Sequence, residues 1–252
     1  MSGPLRAVII TAGLLLAWQA VVWLTGTPHY ILPSPPRVGI ALWDNLDVIV
    51  ENAVLTLLEI LLGLLLGTLL GAIGALTLAF FRPARQWLLP VLVISQAVPV
   101  FALAPLLVLW LGYGIASKVA MATLIIFFPV TAAFHDGLRR TDGEWLDIAR
   151  VMNASRWSIL WHVRVPAAVP ALASGLRVAT SVAPIGAVVG EWVGSSAGLG
   201  YLMLHANARM QVDVMFAALA TLAVMAVALY FAVDALLRRL IYWQTETIPD
   251  QD

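Results

Sequence analysis

Six long apolar runs decide what this chain can fold into. They cover about residues 7–24, 53–81, 86–111, 115–134, 169–193 and 212–237. A helix that crosses the hydrocarbon core of a bilayer needs roughly 20 apolar residues, and most of these runs reach that length. Hydrophobic residues make up 62% of the chain and charged residues only 11%, a composition far outside the range of soluble domains. The sequence therefore predicts an all-α membrane protein with six transmembrane helices in one domain, residues 1–252.

The first apolar run, Ala7 to Leu24, has two interpretations. Arg6 precedes it, as a basic residue precedes the apolar core of a cleaved signal peptide. The run is long for such a core, and no small-x-small cleavage site follows it. These features favour a retained membrane anchor.

The second run carries a small residue at every fourth position. The stripe consists of Gly63, Gly67, Gly71, Ala75 and Ala79. Such a stripe lies on one helix face and lets a second helix approach closely. Glu59 lies on the same stripe, one turn earlier, and an ionisable residue at membrane depth is a functional candidate. The alternative for Glu59 is a hydrogen-bonding group between helices.

Polar residues and prolines in the third and fifth runs mark a candidate translocation path. Prolines inside the third run indicate a packed interior or a cavity rather than lipid. The fifth run places several residues on one face, at steps of three or four: Arg177, Ser181, Pro184, Val188 and Glu191. For Arg177 the alternative is a side chain that extends to the cytosolic headgroups. The residues expected to line the path are Gln96, Pro99, Arg177, Ser181 and Glu191.

One long polar interruption, residues 141–170, separates the fourth run from the fifth. Thr141 and Glu144 have the spacing of a capping box, which predicts the start of a helix. Asn153 predicts the left-handed residue that ends this helix, and Ser155 predicts the cap of a second one. Two prolines are expected to end the second helix: Pro166 and Pro170. The interruption therefore predicts two short helices joined by a sharp turn.

The spacing within this interruption resembles the EAA motif of the permease subunits of binding-protein-dependent ABC importers. That motif reads E-A-A, three residues, G, nine residues, I-x-L-P. This chain has Asp147-Ile148-Ala149, three residues, Asn153, nine residues, and Val163-Arg164-Val165-Pro166. The spacing is kept, whereas the chain departs from the motif at Asp147, Ile148, Asn153, Val163 and Val165.

The resemblance implies a type I ABC importer permease fold, in which the loop at about 135–168 contains a coupling helix that docks into a separate cytoplasmic ATPase. By position, the docking residues are Asp147, Ala149, Asn153, Arg156, Trp157 and Pro166. The alternative is an amphipathic helix lying on the lipid surface, which needs neither this spacing nor a sharp turn. The segments 32–38 and 95–114 also resemble the nitrate, sulfonate and taurine branch of the family, including permeases for thiamine-precursor pyrimidines.

The same resemblance implies the partners. A phosphate-binding loop needs G-x-x-x-x-G-K-[ST], and the only lysine, Lys118, follows no glycine-rich run. The ATP would therefore be bound by a separate ATPase subunit, with no cofactor in this chain. An external substrate-binding protein would deliver the solute, and a second permease copy would complete a homodimer, although pairing with a paralogue stays open. A net charge of zero gives no indication of nucleic-acid binding, and membrane lipid is the remaining partner.

Two other functions deserve comparison. Residues 194–198 match G-x-S-x-G, but a membrane helix precedes them and His205 lies in the same short loop, so no catalytic residue is expected. No H-E-x-x-H pair is present to hold a metal. An ion-coupled secondary transporter is the stronger alternative, yet it would be expected to show internal repeats and carboxylates at the membrane midplane. The sequence shows neither feature.

Basic residues indicate the orientation in the membrane. With a cytoplasmic N-terminus, those inside are Arg6, Arg82, Arg85, Arg139, Arg140, Arg150, Arg156, Arg164, Arg238 and Arg239, and those outside are Arg37, Lys118 and Arg209. The positive-inside rule therefore predicts that both termini lie in the cytoplasm, and the family resemblance implies a multi-pass protein of the bacterial inner membrane. The first candidate for the solute is a thiamine-precursor pyrimidine, followed by sulfonate, taurine or nitrate.

Overall fold

The computed structural model describes residues 3–95 and 98–243, and within these ranges it contains helices and no strand. The helices are α1 (Gly3–Thr25), α2 (Pro35–Asp44), α3 (Leu46–Phe80), α4 (Arg82–Ser95), α5 (Ala104–Leu111), α6 (Ile115–Arg139), α7 (Gly143–Val151), α8 (Arg156–Ile159), α9 (Val165–Gly194), α10 (Leu199–Ala208) and α11 (Val212–Leu240). A 3₁₀ turn, Val100–Leu103, precedes α5, and a π turn, Leu160–Arg164, joins α8 to α9.

Five helical stretches in the described ranges are long and apolar enough to cross a membrane: 8–25, 46–80, 115–139, 156–194 and 212–240. The third crossing was expected at about 86–111, but the structure does not form one continuous helix there. α4 ends at Ser95, Pro99 precedes the 3₁₀ turn, and Pro105 lies in the first turn of α5. Proline lacks a backbone N–H and disfavours helical geometry in the residue before it, which accounts for the break.

The core of the fold is formed by α3, α6 and α9, and the small residues of α3 bring α6 close. A Cβ atom placed on Gly63 would lie 2.5 Å from Cβ of Ala122, and one placed on Gly67 would lie 2.6 Å from Cγ2 of Ile126. Ala75, further along the same face, is fully buried. The stripe predicted from the sequence is therefore confirmed as a helix-packing surface.

α9 packs on α6 in the same manner. A Cβ atom on Gly186 would lie 2.7 Å from the Cα atom of Ala122, and one on Gly175 would lie 2.6 Å from Cβ of Ala133. Fully buried residues of all three helices meet in one cluster that includes Ile60, Ile126 and Ala183. The backbones of α6 and α9 approach closely because the residues at the crossing points are glycines and alanines.

α1 lies outside this core. Its side chains are largely exposed in the single chain, and Trp18 reaches Phe216 of α11 with 5.7 Å between ring centroids. An apolar helix with most of its circumference unpacked is suited to contact with lipid.

Candidate functional site

The loop between α6 and α9 begins with a helix cap one residue later than expected. The side chain of Asp142 accepts a hydrogen bond from the Glu144 amide at 3.0 Å, whereas the Thr141 hydroxyl donates to the Leu138 carbonyl at 3.2 Å. The predicted capping box from Thr141 to Glu144 is therefore wrong. The last turn of α6 engages the Thr141 side chain, and the adjacent aspartate, an equally favourable cap, starts α7.

The turn after α7 has the predicted geometry. Asn153 has φ 52°, in the left-handed region, and the Ala154 amide donates to the Ala149 carbonyl at 3.0 Å. Ser155 then accepts a hydrogen bond from the Ser158 amide at 3.2 Å and caps α8. The roles predicted for Asn153 and Ser155 are both confirmed.

The second helix of the loop does not end at the prolines, which corrects the prediction made for Pro166 and Pro170. α8 continues through the π turn into α9, so that one helical stretch runs from Arg156 to Gly194. Pro166 lies in the first turn of α9, and a π turn precedes it. The wider π turn before Pro166 accommodates the change of geometry that its ring and missing amide impose.

Most of the predicted docking residues are exposed. Asp147 forms an ion pair with Arg150, with 2.7 Å between Oδ1 and Nη1, and both side chains are open to solvent. Trp157 lies parallel to Trp161, at an interplanar angle of 2°. The exposed members of the set are Asp147, Asn153, Arg156, Trp157 and Pro166, whereas Ala149 is buried. Ala149 therefore supports the loop from its inner side.

The loop carries an exposed apolar patch. Ile148, Val151 and Met152 are 60%, 82% and 76% exposed. They lie together at the end of α7, next to the turn at Asn153. Large apolar side chains in this arrangement are typical of a surface that another protein covers. The apolar periodicity of α7 includes Met152 but not Ile148 or Val151, so it did not reveal the whole patch.

At the opposite end of α9, a buried polar network holds the start of α10. Three amides at the start of α10 are satisfied by side chains of α3 and α9. Gly198 donates to Asn52 Oδ1 at 2.6 Å, Leu199 donates to Thr56 Oγ1 at 2.8 Å, and Gly200 donates to Glu191 Oε2. The Thr56 hydroxyl in turn donates to Glu191 Oε1 at 2.6 Å. Helix starts carry unpaired amides, so these side chains fix α10 against the bundle.

Two ionisable residues adjoin this network. Glu59 is 4% exposed, its carboxyl group lies within hydrogen-bonding reach of Glu191, and its Oε2 has no hydrogen-bond partner among the described residues. Lys118 is equally buried and donates from Nζ to the carbonyls of Tyr113 and Gly114, at 2.8 and 3.1 Å. Glu59 is thus part of a contact between helices, which was the alternative considered for it from the sequence.

The described residues that were expected to line the path lie in separate places. Glu191 is buried between α3, α9 and α10. Arg177, roughly 21 Å away along α9 at about 1.5 Å per residue, donates to Asp234 of α11 at 2.6 Å. Ser181 is exposed, and its hydroxyl donates to the Val178 carbonyl. Pro99 lies at the break before α5, and Gln96 lies outside the described residues.

Asp234 is a further residue that the sequence reasoning missed. It accepts from Arg177 and, through Oδ2, from Arg238 at 2.9 Å. The signal was present, because Asp234 is an acidic residue in an apolar run and Arg238 follows it at the i+4 position. Arg177 therefore has a partner on a neighbouring helix, which neither interpretation of this residue anticipated.

Comparison with known proteins identifies the family. Residues 48–242 match the family model described as the inner membrane component of binding-protein-dependent transport systems. The chain belongs to this family. A probable ABC transporter permease protein of Haemophilus influenzae is 60% identical over 94% of this chain and 97% of its own length. The riboflavin transport system permease protein RibX of Chloroflexus aurantiacus is 40% identical over 92% of this chain and 87% of its own.

A third relative belongs to the branch expected from the sequence. The formylaminopyrimidine transport permease protein ThiX of Halalkalibacterium halodurans is 34% identical over 92% of each chain. Among solved structures, a chain of the inward-facing MetNI methionine ABC transporter superposes with a TM-score of 0.67 at 19% identity, covering 78% of this chain and 97% of that one. The protein is a permease subunit of an ABC importer with the type I permease fold, and the secondary-transporter alternative is not favoured.

Proposed function

We propose that this permease imports a small planar nitrogen heterocycle, with a thiamine-precursor pyrimidine as the first candidate and a flavin as the second. The support is that one relative is named as a permease for formylaminopyrimidine and another as a permease for riboflavin. Few charges lie within the apolar runs, which suits a solute that carries little charge. Sulfonate, taurine and nitrate are the alternatives.

The loop of α7 and α8 is the coupling element in this proposal, and a separate subunit hydrolyses the ATP. The observation that carries the proposal is the unbroken helical stretch from Arg156 to Gly194. A displacement of the loop by a moving ATPase would be transmitted along this stretch to Glu191 and the start of α10. The exposed residues Asp147, Asn153 and Trp157, with the apolar patch beside them, would form the contact with the ATPase.

The proposed orientation places this loop and both termini in the cytoplasm. The support is the distribution of arginines, since the loop end of the bundle carries most of the basic residues outside the first helix. In this orientation α10 lies at the outer end of α9, where a binding protein would deliver the solute.

A second copy of the chain is the proposed membrane partner. One face of α9 is exposed along its length in the single chain, at Ser174, Val178, Ser181 and Ile185. The steps between these positions are four, three and four residues, so they share one side of the helix. Two copies that meet near this face would enclose a path between them, and Ser181 would line it.

Affinity purification of the tagged chain from its native membrane in mild detergent tests the proposal. We expect an ATP-binding subunit in near-equal amount, with ATPase activity that the accompanying substrate-binding protein stimulates. Calorimetry on that binding protein with a pyrimidine, riboflavin and taurine would then identify the class of solute. Recovery of the chain without an ATPase, even after crosslinking, would contradict the coupling role, and tight binding of taurine alone would contradict the heterocycle.

A further inference from the structure

A cavity of about 500 Å³ lies between the loop and the end of α3. Its lining combines apolar residues such as Phe80 and Leu160 with four arginines: Arg85, Arg150, Arg156 and Arg164. No acidic residue is among the described residues that line it. The four arginines come from three separate parts of the chain, α4, α7, and the α8 helix with the π turn after it, so that the fold, rather than one basic stretch, concentrates the positive charge.

The charge of this cavity is largely uncompensated by the described residues. Arg150 pairs with Asp147, but in the described part of the chain Arg85, Arg156 and Arg164 form no salt bridge. Arg164 donates from Nε and Nη2 to the neutral Leu138 carbonyl, at 3.0 and 2.7 Å, and is close enough to Arg85 for their charges to repel. Like charges held together in a partly enclosed space favour the binding of an anion.

The position of the cavity indicates which anion. Phe80 ends a membrane-spanning helix, and its ring lies 4.7 Å from that of Trp157, which is parallel to Trp161. The end of a membrane-spanning helix lies near the boundary between hydrocarbon and headgroups, so the cavity beside Phe80 is at the level of the headgroups. A ligand that fits this place has a phosphate for the arginines and acyl chains for the surrounding hydrocarbon.

The cavity is distinct from the apolar patch proposed for the ATPase. Leu146 and Arg150 line the cavity from one side of α7, because they are four residues apart. Ile148 and Met152 are two residues further on and therefore lie about 200° away around the helix. One side of α7 thus faces the cavity while the other is exposed for a protein partner.

We propose that this cavity binds the phosphate of an anionic phospholipid, such as phosphatidylglycerol. The bound headgroup would offset the repulsion among the arginines and hold the loop against α3 and α4. Its effect on coupling rests on the proposed function, whereas the binding itself does not. A chain that binds the lipid but has no ATPase partner would contradict only the proposed function.

Native mass spectrometry of the detergent-purified chain, titrated with phosphatidylglycerol or with phosphatidylcholine of the same acyl chains, tests the proposal. We expect at least tenfold tighter binding of phosphatidylglycerol. The double variant Arg85→Gln/Arg156→Gln should weaken that binding by roughly 30-fold, since each basic residue near an anionic lipid surface contributes about 1 kcal/mol. Phosphatidylcholine binding and the melting temperature of the variant serve as checks that it is folded.

The control removes the same charge outside the cavity, through Arg140→Gln/Arg239→Gln, and should keep the preference for phosphatidylglycerol within about threefold. Equal binding of the two lipids, or an equal loss in the control, would overturn the proposal. Glycerol phosphate that displaces the lipid at matching concentrations would assign the site to a soluble phosphate instead. Unchanged lipid binding with a lost ATPase contact in the cavity variant would assign these arginines to the protein partner.

Discussion

At the scale of single residues, Glu191 joins three helices of the bundle. It accepts hydrogen bonds from Thr56 on α3 and Gly200 on α10, while its own backbone belongs to α9. Gly198, with φ 110°, has no room for a side chain because a Cβ atom there would collide with the Glu191 carboxyl group. The glycine and the glutamate therefore depend on each other.

Replacing Glu191 with alanine should destabilise the protein by about 1–3 kcal/mol, because the Gly200 amide would be left buried without a partner. The measurement is the thermal unfolding of the purified chain in detergent. Glu51→Ala is the matched control, since Glu51 is an exposed glutamate on α3, and we expect a change within about 0.5 kcal/mol there. Equal stability of the two variants would mean that α10 is held in place by packing alone.

Asn153 supplies the second prediction at this scale. A left-handed conformation costs a residue with a Cβ atom roughly 1–2 kcal/mol, and asparagine and glycine tolerate it best. Asn153→Gly should therefore keep full uptake, whereas Asn153→Val should disturb the turn and reduce the ATPase stimulation that accompanies uptake. Uptake by cells and ATPase activity of the purified complex measure the two effects. A valine variant that is as active as the glycine variant would remove the turn from the coupling proposal.

At the scale of elements, two glycines of α3 leave different amounts of room for a side chain against α6. A Cβ atom on Gly67 would lie 2.6 Å from the Ile126 side chain, whereas one on Gly74 would first meet the Phe127 ring at 3.4 Å, an ordinary contact. The two glycines belong to one helix and face the same neighbour. They therefore form a matched pair for testing the helix contact.

Gly67→Ala should cost about 1–3 kcal/mol, the usual range for overpacking a filled core. Gly74→Ala should be neutral or slightly stabilising, because alanine is the better helix former by roughly 1 kcal/mol. Thermal unfolding of both variants in the same detergent compares them directly. If Gly74→Ala were the more damaging change, the approach of the two helices described here would be incorrect.

The features that could be predicted correctly from the sequence are local. The left-handed turn at Asn153, the cap at Ser155 and the small-residue stripe each follow from a residue's own preference or from a spacing within one helix. The continuation of the helix past Pro166 could not be predicted, because the π turn that permits it was not recognisable in the sequence. The network around Glu191 was equally hidden, since its hydrogen bonds join residues up to 146 positions apart.

At the scale of the whole molecule, the described residues of a single chain leave one side of α9 exposed, and its exposed positions include Ser181. A homodimer with two-fold symmetry would bring the same patch of both copies together. Residues close to the symmetry axis would then lie opposite their own equivalents. The arrangement matters for transport because the described path residues of one chain, such as Ser181 and Glu191, lie apart from one another.

The chain contains no cysteine, so a single introduced cysteine reports on the dimer without background. Ser181→Cys should give a disulfide-linked dimer on mild oxidation in native membranes, because two cysteines can bridge when their Cα atoms lie about 4.4–6.8 Å apart. Val224→Cys is the control, since Val224 is 71% exposed and belongs to α11 rather than to the proposed contact face of α9. Crosslinking at Val224 but not at Ser181 would place the contact on α11 and remove Ser181 from the path. The transported solute can also be added during the oxidation of Ser181→Cys. If the solute slows the crosslinking, the space between the two copies of α9 is the route that the solute follows.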